Sequence, residues 1–471
     1  MKLALDPGSG APLTEQLTSQ IEDLIRSRHL RVGVKLPSIR QLAAEQRISR
    51  FPVIEAYDRL ASRGLIQPKH GSGFYVTSHV DNRDRAAGGA DPRVAEEESS
   101  HILRQFDPAG SDLLGLSNGG VPAAWRDVEG IAQTVRQVIR SDPACLIDYA
   151  PPQGDARLRE LIAQRLAPLG IDTTAQQVLV TQSATQALDL VVRLMLKPGD
   201  TAFVEDPGYF NLFGLLKLQG IRVVGVPRRA NGPDLDALEA LLERHRPKLF
   251  FVNPALHNPT ATSIAPPIAF RLLQLAQQHD FSLVEDDVYA DFQAAPTQRL
   301  AALDPLDRVI YIGGFSKTLS SSLRLGYLCA RADLVKHLVD VKALTSMGGT
   351  RLAESIVATL LERGTHRKHL ERLRRRVDDA QAGAAAQLRD AGWVRYDTVG
   401  GGLFVWARVP GVDDSARLAA AAAAFGLRLA PGSDYRPGGE ATPWLRLNVA
   451  HVRDPRAARF LAHAASLGQH A

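Results

Sequence analysis

Lys317 stands in the stretch Gly313 to Tyr327, GGFSKTLSSSLRLGY, among small and hydroxyl residues, with Arg324 seven positions further on. A lysine amine attacks an aldehyde only when it is partly deprotonated, and desolvation or a nearby cation favours that form. An arginine offers two-point charge to a phosphate. Four other apolar runs end in residues of matching chemistry. After QVLVTQ come Ser183, Ala184 and Thr185, entering the helix pattern LDLVVRLML. Small and hydroxyl residues at a helix N-terminus present free N–H groups and a hydroxyl to a phosphate. After TAFVEDP comes Tyr209, an aromatic able to stack on a flat ring, and after KLFFVNP comes Asn258 in a turn. After FSLVE come Asp286 and Asp287, with Tyr289 three residues beyond Asp286. Each feature alone has an ordinary explanation, since Ser and Thr cap helices and paired Asp residues close loops. The ordered set is more specific: five successive strand ends are furnished for one flat, phosphorylated, basic heterocycle.

The elements that must hold these residues alternate. Apolar strand-like runs and amphipathic helical stretches follow one another to about residue 340, which argues for an α/β domain with a largely parallel central sheet. Open sheets of that kind bind ligands at the carboxyl ends of their strands, where the candidate residues fall. The last 120 or so residues begin with the basic helical stretch HRKHLERLRRRVDDA, then mix strands (GGLFVWARV, WLRLNVA) with an Ala-rich helix, so a smaller α+β domain is expected. A chain of 471 residues, 45% apolar, has room for two or three domains and a large core.

The charge is uneven. Residues 1–80 carry three Lys and eight Arg against seven Asp plus Glu, a net of +4 out of +5 for the whole chain. A small basic domain on a near-neutral body suits a polyanion. Leu13, Leu17, Ile21, Leu24 and Ile25 share one helical face. Ser38, with Gln41 three residues on, has the pattern of a capping box. After a short break at Arg47-Ile48, Ser49 is placed to cap a second helix, RFPVIEAYDRLASRG, with Pro52 in its first turn and Gly64 at its end. Two β-like runs around His70-Gly71-Ser72-Gly73 read as a hairpin. Helix, helix–turn–helix and hairpin is the order of a winged helix-turn-helix, whose second paired helix enters the major groove of double-stranded DNA. Arg50 and Phe51 are expected to lead that helix into the groove, Arg40 and Ser49 are further expected DNA contacts, and Lys69 and His70 near the hairpin tip are placed where they can reach the phosphates. Residues 8–78 are thus read as a DNA-binding domain, 79–110 as a polar Gly/Ala-rich linker, and 111–471 as the body, with a large part over about 150–340 and a small part over about 345–471.

Cys145 and Cys329 have no CxxC partner, and the His spacing suggests no metal site. The N-terminal residues do not read as a signal peptide, and the longest apolar run, Leu418 to Leu427, is about half the ~20 residues of a spanning helix. A cytoplasmic protein without membrane contact is expected.

With these residues in view, 111–471 resembles the fold-type I pyridoxal-phosphate enzymes of the aminotransferase kind. The resemblance implies that Lys317 carries pyridoxal 5′-phosphate covalently, that Asp286 faces the pyridine nitrogen, and that Tyr289 and Asn258 contact the ring oxygen. It implies that Tyr209 stacks on the ring and that Ser183, Ala184, Thr185, Ser316 and Arg324 hold the phosphate. Tyr149 would reach the phosphate of a neighbouring subunit, Arg446 would bind a substrate α-carboxylate, and Asn118-Gly119-Gly120 would close over the substrate. Gly314 departs from the serine many relatives place three residues before the lysine. Ser322 replaces a common glycine, and Ala184 lacks a side-chain donor. Residues 11–78 resemble the GntR-type winged helix-turn-helix through LPSIRQLA, SRFPVIEAYDRLASRGLI and GSGFYV, although Phe51 and Pro52 differ from the usual small or polar residues. The two together resemble the MocR subfamily of transcriptional regulators. That resemblance implies a homodimer on operator DNA whose bound cofactor, or its adduct with an amine or amino acid, controls DNA binding. A working aminotransferase with an appended DNA module is the alternative.

Overall fold

The computed structural model describes residues 12–26, 33–62, 65–69, 73–76, 113–293, 297–397 and 401–468, with residues 3, 5 and 30. The expected linker 79–110, Gly64, His70 and the Lys69 side chain lie outside the described residues. The chain divides into two compact units, Met1–Gly89 and Ala90–Ala471.

In the first unit, α1 (Leu13–Arg26), α2 (Ile39–Gln46) and α3 (Arg50–Ser62) precede β1 (Ile66–Lys69) and β2 (Gly73–Val76). The strands pair antiparallel, from Ile66 opposite Val76 to Lys69 opposite Gly73. Leu17 and Ile21 of α1 meet Leu42, Val53, Ala56, Tyr57 and Leu60 in one buried cluster, with Leu36, Ile66 and Val76. Tyr57 fixes the turn before α2 by donating its hydroxyl to the Pro37 carbonyl at 2.8 Å. The Ser38 hydroxyl accepts from the Gln41 N–H at 3.2 Å. Among the described residues the reciprocal half of the expected capping box, Ser38 N–H to the Gln41 side-chain oxygen, is not made; the Gln41 amide N–H donates to Glu45 at 2.9 Å, one turn along the exposed face. Arg47 ends α2 in the left-handed region at φ 54°, which swings the chain into α3. Pro52 is the third residue of α3 and has no intrahelical acceptor to miss.

The second unit has β3 (Leu114–Gly115), then β4 (Val178–Thr181), β5 (Thr201–Asp206), β6 (Arg222–Arg229), β7 (Gly232–Pro233), β8 (Pro247–Val252), β9 (Ser282–Asp286), β10 (Val309–Gly314) and β11 (Gly326–Cys329). The eight strands after β3 form one sheet in the order β4-β11-β10-β9-β8-β5-β6-β7. Pairing is parallel from β10 through β9, β8 and β5 to β6. β11 is antiparallel to both β10 and β4, so β4 runs the same way as β10. The carboxyl ends of β4, β5, β8, β9 and β10 therefore share one edge. The inner strands bury nearly every side chain, as a sheet covered on both faces requires. The helix Ala184–Met195 packs its apolar face on one side with Leu212, Phe213 and Leu216. Helices Ala156–Leu166, Pro266–Gln278 and Arg351–Glu362 cover the other.

A smaller layer follows: β12 (Val394–Arg395), β13 (Phe404–Arg408), β14 (Leu427–Arg428) and β15 (Trp444–Asn448). β12, β13 and β15 form an antiparallel sheet packed on helices Thr365–Asp390 and Pro455–Leu467. β14 pairs in parallel with β3, so the segment leading into 114–120 is anchored in this layer.

Candidate functional site

Along the shared strand edge lies a cleft of about 1070 Å³. Its lining brings together Asn118, Gly119, Gly120, Ser183, Ala184, Thr185, Tyr209, Asn258, Asp286, Tyr289, Ser316, Lys317, Arg324 and Arg446 from the sequence reading. Tyr149 is not among the lining residues; it is 80% exposed on the surface.

Lys317 follows β10 on a short turn whose backbone is held on both sides of it. Arg126 donates to the Ser316 carbonyl at 3.3 Å, and His369 Nε2 meets the Thr318 carbonyl at 2.9 Å. The Thr318 hydroxyl donates to Asp291 at 3.1 Å, and Asp291 is paired with Arg165. The Lys317 ammonium lies 5.4 Å from the centre of the Tyr289 ring. Burial, with the guanidinium groups of Arg446 and Arg126 adding to it, lowers its pKa, while Tyr209 and Asp286 act the other way. This is the direction that frees an amine for attack.

Strand alternation separates three neighbouring carboxylates. Glu285 turns away and accepts from the N–H groups of Leu300 and Ala301 at 3.1 and 2.8 Å. Asp287 pairs with Arg299 at 2.9 Å and accepts from Tyr311 at 2.9 Å. Asp286, between them, lines the cleft and, among the described residues, its side chain accepts one long bond, from Val288 N–H at 3.4 Å. Burial pushes its carboxyl up to about 6. Asp287 is thus the structural member of the pair and Asp286 the one left for a ligand cation.

Arg446, on β15, is 2% exposed and lies between the rings of Phe404 and Tyr435, at 4.3 and 4.9 Å. It donates to the Asn258 side-chain oxygen and the Ser117 carbonyl, and its Nε has no hydrogen-bond partner among the described residues. Tyr289 donates its hydroxyl to the Gly119 carbonyl at 3.2 Å. Asn448 donates to the carbonyls of Asn118 and Gly120, both at 2.7 Å. A side chain on Gly119 would enter the cleft, its Cβ 3.1 Å from Tyr289 Oη and 3.3 Å from Lys317 Nζ. At the other end, Ser183 caps its helix by accepting from Gln186 N–H at 3.1 Å. Arg324 is exposed, has its backbone at φ 49°, and finds no carboxylate among the described residues.

Four lining or supporting residues escaped the sequence reading. Arg126 has no motif around it. Asn253, directly after β8, accepts from Asn258 N–H at 2.6 Å and donates to the Asp286 carbonyl, tying two candidate residues together. Its place at a strand end was the available signal. Asn448 and Ser117 act through backbone bonds that no sequence pattern announces. Arg351 is a structural residue, paired with Asp142 at 2.9 Å and Asp148 at 2.8 Å.

Comparison with known proteins fits this geometry. Residues 111–463 match the family Aminotransferase class I and II, to which the chain belongs. Residues 13–76 match the bacterial regulatory proteins of the gntR family. The 2-aminoadipate transaminase of Thermus thermophilus is 33% identical over 70% of this chain and 84% of its own length. The crystal structure of LysN, the alpha-aminoadipate aminotransferase of Thermus thermophilus complexed with N-(5′-phosphopyridoxyl)-L-leucine, superposes with a TM-score of 0.73 at 28% identity, covering 80% of this chain and 97% of that one. The "Probable rhizopine catabolism regulatory protein MocR" of Rhizobium meliloti is 28% identical over 86% of this chain and 83% of its own length. The fusion of the two domains places the chain in the MocR subfamily of GntR-type regulators.

The cofactor of this family is pyridoxal 5′-phosphate. The cleft suits it in its donor chemistry. Among the described residues it offers a part-buried carboxyl in no ion pair, a lysine amine, an exposed arginine and a helix N-terminus on one side, and a guanidinium N–H without a hydrogen-bond partner on the other.

Proposed function

We propose that the protein is a DNA-binding transcriptional regulator that reads pyridoxal phosphate, or an amine or amino acid that combines with it, through this cleft. When bound, pyridoxal phosphate supplies an aldehyde that amines can take and a ring that withdraws electrons. Lys317 is the covalent anchor, and Asp286 holds the ring nitrogen charged. Asn258 and Tyr289 orient the ring oxygen and Tyr209 covers a ring face. The N-terminus of the helix Ala184–Met195, with Ser183, Thr185, Ser316 and Arg324, binds the phosphate. Arg446 takes the α-carboxylate of an amino acid, with its free Nε as one of two donors. Asn118, Gly119 and Gly120 cover the ligand.

The DNA contacts are Arg40, Ser49, Arg50 and Phe51, all exposed on or next to α2 and α3, with Phe51 72% exposed at the start of α3. Lys69 and His70 are proposed as phosphate contacts from sequence alone. Leu146, Ile147 and Tyr149 are exposed in a segment that Arg351 ties down through Asp142 and Asp148; Leu344 and Met347 are also exposed, and Gly348 beside Met347 meets the Ala150 carbonyl next to Tyr149, where an added Cβ would lie 2.7 Å from it. That apolar surface supports a homodimer in which Tyr149 completes the partner's phosphate site.

The observation that carries this reading is the convergence of Lys317, Asp286, Tyr289 and Arg446 in one cleft, on a chain that also presents a helix-turn-helix with an exposed basic edge. The test is direct. The purified protein absorbs as a lysine-bound coenzyme, borohydride fixes the label, and mass mapping finds it on Lys317. Its affinity for DNA from its own upstream region then changes on coenzyme or amino-acid addition. A colourless protein that stays so with added coenzyme overturns the reading. Sustained turnover of amino and keto acids at about 1 per second or more, with DNA affinity indifferent to ligand, favours the enzyme instead.

A further inference from the structure

The charges lining the cleft do not balance. Lys317, Arg126, Arg324 and Arg446 face a single carboxylate, Asp286. Under the function proposed above, each charge but one has a task. Asp286 answers the ring nitrogen, Arg324 the phosphate and Arg446 an α-carboxylate, while Lys317 carries the coenzyme. Arg126 is left over.

Its setting is unusual for an arginine. It follows the one-turn helix Ala123–Trp125, and among the described residues its guanidinium makes one long hydrogen bond, to the Ser316 carbonyl at 3.3 Å. The adjacent carboxylate is engaged elsewhere, since Asp127 caps Gly130 N–H at 3.2 Å and lies 3.6 Å from Arg372. Among the described residues no carboxylate pairs with Arg126. Its guanidinium lies 3.5 Å from where a Cβ on Gly120 would sit, next to the covering segment. Burial lowers its pKa with no opposing anion, and its charge is felt at Lys317. A part-buried guanidinium without an anion carries an uncompensated desolvation cost that an anionic ligand group removes.

Resting on the coenzyme-sensor reading, we propose that Arg126 receives a second anionic group, so that the effector is an amino acid with an acidic side chain, its α-carboxylate on Arg446 and its distal carboxylate on Arg126. Neutral amino acids and simple amines then bind the same cleft more weakly, because they leave Arg126 desolvated and unpaired. A charge-assisted two-point contact in a partly dry cleft corresponds to about a ten- to hundredfold preference.

The experiment uses the full-length, coenzyme-loaded protein and follows its absorbance as L-glutamate, the near-isosteric L-glutamine and L-alanine are added. Glutamate binds at least about tenfold more tightly than glutamine, Arg126→Gln collapses that ratio towards one, and Arg126→Lys restores part of it. Coenzyme affinity, measured in parallel, separates this role from phosphate binding. Equal affinities for glutamate and glutamine in the unaltered protein overturn the proposal. So does an Arg126→Gln protein that keeps the ratio, or one that loses coenzyme and all three amino acids alike. A protein that takes up no coenzyme at all sinks the underlying reading instead, which its spectrum reveals before any amino acid is added.

Discussion

Gly326 is the least conspicuous part of the phosphate end of the cleft, and the most demanding. It lies on β11, opposite Thr181 of β4 and Gly314 of β10. A Cβ there would sit 2.5 Å from the Ser183 carbonyl carbon and 2.6 Å from Ala184 N, both main-chain atoms at the start of the helix Ala184–Met195. No side chain can rotate to relieve that contact. Gly326→Ala must push the helix start away by about 1 Å to reach the ~3.5 Å at which carbon atoms cease to repel. Overpacking of this kind costs about 1–3 kcal/mol of stability. The same shift moves the free N–H groups of the first turn off the phosphate. Losing one hydrogen bond to a charged group is worth about 1.5–3 kcal/mol, or roughly ten- to a hundredfold in coenzyme affinity. Absorbance titration with pyridoxal phosphate reads the affinity and calorimetric melting reads the stability. Coenzyme binding within about twofold of the unaltered protein, at any melting temperature, would refute the seating of the phosphate on this helix start.

Other expectations follow from the same geometry. Gly314→Ser has room, since a Cβ there meets nothing closer than Leu325 O at 3.6 Å, and its hydroxyl adds a phosphate donor; coenzyme affinity rises several-fold, about 0.5–1.5 kcal/mol, in the same titration. Because Lys317 titrates below an ordinary lysine, its amine is free at lower pH; the fraction of coenzyme that borohydride fixes rises with pH at a midpoint below 10.5, whereas a midpoint at or above that value contradicts the burial argument. Phe51→Ala removes an exposed side chain with no core role, so melting of the first unit changes by less than about 0.5 kcal/mol, while operator affinity falls by about 1–3 kcal/mol in a gel-shift titration at fixed salt.

Much of the fold was legible because its signals are local. The runs QVLVTQ, TAFVEDP, KLFFVNP and FSLVE all fall on strands of the central sheet, and α2 and α3 lie where Ser38 and Ser49 predict their starts. Sheet order, the antiparallel insertion of β11 and the pairing of β3 with β14 are long-range matters that no periodicity encodes. Asp286 and Lys317 could be singled out because strand ends in α/β sheets are where ligands sit. Arg126 and Asn448 could not, since each acts across more than a hundred residues of sequence, on Ser316 and on Asn118. The Gln41 side chain shows the limit of local reasoning: the pattern predicts that its oxygen accepts from Ser38 N–H, whereas the bond found runs forward from its amide N–H to the exposed Glu45.

What a ligand in this cleft can bias follows from who holds the covering segment. Four successive carbonyls are each tied to a side chain: Ser117 to Arg446, Asn118 and Gly120 to Asn448, and Gly119 to Tyr289. Asn448 belongs to the small layer and has no proposed contact with ligand. Arg446 and Tyr289 are the two groups assigned to the α-carboxylate and the ring oxygen. A carboxylate that recruits Arg446 competes with the Ser117 carbonyl, and a ring oxygen that recruits Tyr289 competes with Gly119, while the Asn448 bonds stay. A ligand that makes both exchanges would give the segment a second bonding state, differing from the observed one at identified atoms. A ligand shifts an equilibrium only as far as its affinities for the two states differ. Here that difference resides in two exchanged hydrogen bonds, each worth on the order of 1 kcal/mol or more when charge is involved. That is enough for a five- to hundredfold change in whatever the segment controls, within the usual span of allosteric coupling.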